Sequence, residues 1–105
     1  MVISGLVWKM HFDGAVNKNG AGLGVVLYTP DGELVLLSKR LTFPVTNNAA
    51  EYEACLFGLE ALSKVGATDV EVYGDSTIVI RQVMGDWEIR EESLHPYVRA
   101  VCELS

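Results

Sequence analysis

Leu6, Trp8, Met10 and Phe12 alternate with Val7, Lys9, His11 and Asp13, the two-residue period of a strand with one face on a core. The stretch "GAVNKNG" (14–20) breaks that period with glycines and asparagines and reads as a loop, so Asp13 stands where the strand runs out. "AGLGVVLYT" (21–29) is strand-like again. The glycines of "GAGLG" (20–24) lie inside a strand and lack the spacing of a dinucleotide fingerprint, so close backbone packing is the better account of them. Pro30-Asp31-Gly32 is a turn by its chemistry, and "ELVLLSKRL" (33–41) follows as a third strand, which predicts an antiparallel meander.

From residue 46 the period changes. "TNNAAEYEACLFGLEALSKVG" (46–66) has an apolar stripe of Tyr52, Cys55, Leu56, Leu59 and Leu62, with Thr46 or Asn47 as N-cap and Gly66 as the stop. "DVEVYGD" (69–75) is a fourth strand, and a strand reached through a helical crossover should lie parallel to its neighbour. "STIVIRQVM" (76–84) predicts a second helix opened by Ser76. "SLHPYVRAVCEL" (93–104) predicts a third, with Pro96 tolerated in its first turn. These elements predict an α/β fold with a mixed sheet ordered 3-2-1-4 and helices packed on it.

Composition narrows the function classes. A chain of 105 residues allows one domain, spanning 1–105. No apolar run approaches the ~20 residues that span a bilayer, and the first ten residues lack the basic leader and cleavage site of a signal peptide. An intracellular setting is the expectation, with the compartment open. The net charge of -6 argues against a generic nucleic-acid clamp, since affinity for a phosphate backbone comes mostly from Lys and Arg. Cys55 and Cys102 fall in apolar helical patterns and read as free core thiols. His11 and His95 have no metal-ligand spacing and read as structural or solvated, and Trp8 and Trp87 as core anchors.

Three carboxylates carry the chemistry. Asp13 ends the first strand, Glu51 lies early in the crossover helix, and Asp75 ends the fourth strand. If strands one and four are parallel neighbours, Asp13 and Asp75 converge at one sheet edge. Glu51 shares a helical row with Cys55, Gly58 and Leu62 and so faces the sheet, whereas Glu53 and Glu60 take a more solvated row. Carboxylates crowded in this way repel unless a hard cation neutralises them, and oxygen-only ligands suit Mg²⁺ or Mn²⁺.

The order "FDGA" (12–15), "TNNAAEYEA" (46–54) and "YGDS" (73–76) resembles ribonuclease H of type 1, closest to the domains joined to reverse transcriptases in retrotransposons. The resemblance runs from about Trp8 to Leu104. It implies a metal-dependent endonuclease that cuts the RNA strand of RNA/DNA hybrids with two Mg²⁺ ions, which Mn²⁺ can replace. It further implies Asp13, Glu51 and Asp75 as metal ligands, Asn17, Thr46, Asn47 and Asn48 as strand contacts, and an adjoining reverse transcriptase domain. Trp87 falls where family members approach the DNA strand.

The family pattern continues, after the last helix seen here, with a fifth strand and a helix bearing a fourth catalytic Asp. Neither occurs up to Ser105. The expectation is therefore a C-terminally truncated domain whose fourth strand is an open edge that could pair two copies into a dimer. Two alternatives to the nuclease stay open. One is a truncated module that binds nucleic acid or a partner chain without turnover. The other is the same fold acting on a different polynucleotide.

Overall fold

The computed structural model describes residues 7–73, 78–83, 86–91 and 96–104. Among the described residues six strands form one sheet of order β3-β2-β1-β4-β5-β6, with two helices. β1 (Val7–Asn17) pairs antiparallel with β2 (Gly20–Tyr28), and β2 with β3 (Leu34–Leu41). The crossover helix α1 (Asn47–Lys64) leads to β4 (Asp69–Val72), which lies parallel to β1 over Val7 to Met10. The expected order 3-2-1-4 is present, and the chain adds to it.

The first strand is longer than its alternation implies. Gly14 to Asn17 continue the ladder against Leu23 to Gly20, so the loop shrinks to Lys18 and Asn19. The Asn17 carbonyl oxygen Oδ1 accepts the Asn19 N–H at 2.8 Å, a local side-chain turn that closes the hairpin. Gly20, with φ of 152°, finishes it where the Leu41 carbonyl leaves no room for a side chain. Asp13 therefore sits inside a strand, opposite Gly24, and not at its end.

Within the segment predicted as a second helix, residues 78–83 form a strand. β5 (Ile78–Val83) runs antiparallel to β4, and β6 (Asp86–Glu91) runs antiparallel to β5. Ile78, Val79, Ile80 and Val83 are β-branched residues that fit a pleated surface better than a helical turn. Ile80 is fully buried and its neighbour Arg81 exposed, and Arg81 meets its register partner Asp69 in an ion pair of 3.2 Å. The β4 edge is thus covered by β5, which removes the open edge on which a dimer was expected. The proposed Ser76 cap lies outside the described residues.

α1 begins and ends on its predicted signals. Thr46 Oγ1 accepts the Ala49 N–H at 3.0 Å, and Gly66, with φ of 77°, follows the last turn. Thr46→Ala is expected to destabilise the protein by about 1 kcal/mol, and Thr46→Ser to retain most of that stability. Thermal unfolding of the two variants checks this.

The core lies between one sheet face and the helices. Met10, Val25, Leu59, Leu62, Val70, Val72, Ile80 and Val98 are all at most 1% exposed. Trp87 belongs to this core at 6% exposed, as an anchor and not as a strand contact. α2 (Pro96–Leu104) starts at Pro96 and rests on α1 and β6. On the opposite sheet face Tyr28, Leu34 and Leu36 are exposed.

Candidate functional site

The site forms where α1 crosses β1. Gly14 makes the crossing possible. A Cβ built at Gly14 would lie 2.6 Å from the Ala50 carbonyl carbon and 2.7 Å from its oxygen, so the helix backbone rests where any other residue would put a side chain. Ala50, fully buried, is the contact on the helix side. Because the approach is this close, the next helical residue, Glu51, reaches the strand, and its Oε1 accepts the Gly14 N–H at 2.5 Å.

Asp13 precedes that N–H, and its carboxyl meets the carboxyl of Glu51. Burial is the largest influence on Glu51 and pushes its pKa up, while the Gly14 N–H pulls it down. The side-chain hydrogen bond and the charge of Asp13 push it up again, leaving the group above its ordinary value. Two acidic groups held together by the backbone in this way are short of positive charge, and their all-oxygen donor set suits a hard divalent cation.

The structure brings together Asp13 and Glu51 of the three predicted carboxylates. Asp75 lies outside the described residues, and among those described no three His, Cys, Asp or Glu side chains form a metal-holding group. β4 does run toward the site, since Tyr73 N–H donates to the Met10 carbonyl at 2.9 Å beyond the last paired residue. Asp75 follows two positions later.

The predicted strand contacts fall into two groups. Thr46, Asn47 and Asn48 are exposed at the start of α1, one turn from Glu51. Asn48 Oδ1 accepts the hydroxyl of Tyr97, from α2, at 3.0 Å. Asn17 is exposed at the far end of β1, and its carbonyl oxygen is taken by the hairpin turn. It lines a groove of about 440 Å³ that also includes Asn19, Arg40 and Thr42. Sequence reasoning missed Arg40 and Tyr97. Arg40 could have been noticed as a cation within the third strand of an acidic chain, whereas the role of Tyr97 appears only in three dimensions.

Gly22 and Gly24 of β2 depart from the close packing expected of them. Gly22 has no atom within 4 Å of a built Cβ, and Gly24 only the Asp13 carbonyl oxygen at 4.0 Å. They stand opposite Ala15 and Asp13, so they keep the surface beside the carboxylates flat and do not serve close packing. Close packing holds at Gly20, as expected, and also at Gly14 and Gly58. His11, two residues before Asp13, is held by rings, stacked on Tyr73 at 5.1 Å and edge-on to Tyr28 at 5.8 Å.

Both cysteines are free. Burial pushes the Cys55 thiol up to about 12 and the Cys102 thiol up to about 11, so both stay protonated at neutral pH. Neither is an activated nucleophile.

The chain is similar to known proteins along most of its length. The bifunctional protein Rv2228c of Mycobacterium tuberculosis is 40% identical over 86 residues, which are 80% of this chain and 24% of that protein. Ribonuclease HI of Halobacterium salinarum is 38% identical over 86 residues, 80% of this chain and 43% of that protein. The chain therefore spans less than half the length of these curated relatives.

Among solved structures, the RNase H1 of Halobacterium salinarum superposes with a TM-score of 0.61 at 30% identity, covering 92% of this chain and 72% of that one. LC11-RNase H1, solved in complex with an RNA/DNA hybrid, gives 0.54 at 35% identity, covering 62% and 51%. Residues 11–105 match the reverse transcriptase-like family, and with an RNase H fold and RNase H1 relatives the chain belongs to that family of ribonuclease H-like domains.

Proposed function

We propose that this domain hydrolyses the RNA strand of RNA/DNA hybrids with divalent metal ions held by Asp13, Glu51 and Asp75. The observation that carries the reading is the Asp13–Glu51 pair, fastened to the Gly14 N–H at the crossing of β1 and α1. Support comes also from family membership, from RNase H1 relatives, and from the hybrid bound to one structural neighbour. Asp75 enters as third ligand because β4 runs parallel to β1 and heads for the same edge.

The chain's own residues have distinct tasks. Asp13 and Glu51 supply oxygen ligands on two elements that cannot slide apart without breaking the Gly14 bond. When bound, Mg²⁺ ions would activate a water and stabilise the leaving oxygen. Thr46, Asn47 and Asn48 present hydroxyl and amide groups to the strands from the N-terminal end of α1, and Asn17 and Arg40 add an amide and a guanidinium from the hairpin groove. The flat surface at Gly22 and Gly24 leaves room beside Asp13. A net charge of -6 gives little electrostatic grip, which an adjoining reverse transcriptase domain would supply.

The test is incubation of an end-labelled RNA strand, annealed to DNA, in Mg²⁺ and separately in Mn²⁺, beside duplex DNA and single-stranded RNA. Cleavage confined to the hybrid and abolished by chelation is expected. Binding of the hybrid without cleavage would replace the nuclease with a non-catalytic module. Cleavage of duplex DNA would move the substrate class.

A further inference from the structure

Tyr97 belongs to α2, yet it touches both other elements of the site. Its ring lies edge-on to Phe12, the residue before Asp13, with centroids 6.5 Å apart and planes at 90°. Its hydroxyl donates to Asn48 Oδ1 at 3.0 Å across 49 residues of sequence. The ring is held from behind, because Val98 and Val101 of the same helix are buried in the core. A tyrosine has only two side-chain torsions, so a ring fixed in this way delivers its hydroxyl to one place at small entropic cost.

Asparagine carries an acceptor and a pair of donors on one amide, and either end can face a ligand. A hydroxyl that donates to Oδ1 engages the acceptor end and turns Nδ2 away from Tyr97. Every base pair shows acceptors on its minor-groove edge, adenine N3 or thymine O2 among them, whereas among base edges a donor there occurs only at guanine. An amide that presents only donors therefore meets any sequence favourably. An amide free to flip would present its carbonyl part of the time and be repelled by those acceptors.

We infer that Tyr97 is a positioning residue that locks the Asn48 amide with its N–H donors outward, making this contact to a hybrid's minor groove independent of sequence. The inference rests on the reading of Asn48 as a strand contact.

The experiment measures binding of a fluorescent RNA/DNA hybrid by anisotropy, with divalent ions chelated, for the parent protein, Tyr97→Phe, Asn48→Ala and the double variant. Tyr97→Phe keeps the ring against Phe12, and its thermal midpoint is expected to stay within a few degrees of the parent's. Loss of the lock is expected to weaken binding about threefold to tenfold, and the same substitution in the Asn48→Ala background is expected to change nothing. In cleavage assays the loss should fall on KM, with kcat retained. Equal weakening in both backgrounds, or none in either, overturns the inference while leaving Asn48 as a contact if its own substitution weakens binding. Parent-like binding by Asn48→Ala, or no binding by the parent, overturns the underlying reading and the inference with it.

Discussion

Asp13→Asn is expected to abolish hybrid cleavage, by at least about a hundredfold, and at the same time to raise the thermal midpoint of the metal-free protein. The two effects have one cause. In the metal-free protein the Asp13 carboxylate faces Glu51, and its charge and hydrogen bond both push the Glu51 pKa up, on top of the upward push from burial. A carboxylic acid whose folded pKa exceeds its unfolded value stabilises the fold below the unfolded pKa, and that contribution is lost as pH rises through the folded value. At neutral pH the charge on Glu51 is therefore a burden. Asparagine removes the charge, and can still hydrogen-bond to Glu51.

Added Mg²⁺ should separate this account from a merely structural one. The parent's midpoint is expected to rise with Mg²⁺, because an ion that binds only the folded state stabilises it by mass action. The midpoint of Asp13→Asn should stay flat over the same titration. The pH dependence follows the same sign: in metal-free buffer the parent loses stability as pH climbs from the ordinary glutamate value of 4.5 through the raised one, and the variant loses less. A variant that unfolds earlier than the parent in the absence of metal would show that Asp13 holds the strand and not a cation.

What the sequence made legible was local. β2, β3, the turn at Gly32 and the limits of α1 follow from alternation, from a Thr N-cap and from glycines at φ of 90° and 77°, each set by residues a few positions apart. Asp13 and Glu51 were legible because strand and crossover helix dictate where each must point. The misreading of 76–84 has a physical reason as well. An apolar run of that length satisfies both the helical and the extended period, and the decision comes from β4, which offers an unpaired ladder and an aspartate opposite Arg81. Local pattern also ended β1 too early, because Ala15 and Val16 are held extended by β2 and not by their own alternation. The Tyr97 bond to Asn48 was not legible at all, being a contact between helices 49 residues apart.

Gly14→Ala is expected to be strongly damaging, and Gly22→Ala its control for stability. Each adds one methyl group to neighbouring strands of the same hairpin. At Gly14 the methyl carbon would lie 2.6 and 2.7 Å from the carbonyl atoms of Ala50 and 2.9 Å from its Cβ, and helix backbone cannot rotate away as a side chain could. α1 must retreat from β1, opening contacts around buried Ala50 and Ala54. The loss should be about 3 kcal/mol, or roughly 10 to 20 °C in thermal midpoint. At Gly22 the methyl enters open space on extended backbone, so stability should hold or rise by about 0.5 kcal/mol. The activity of Gly14→Ala carries the functional part of the argument. Assayed well below its midpoint, where the protein is folded, it should still cleave hybrid far more slowly than the parent, because a displaced helix carries Glu51 away from the Gly14 N–H and from Asp13. Parent-like cleavage by a folded Gly14→Ala protein would mean that the close crossing serves packing alone and that the two carboxylates need no such fastening.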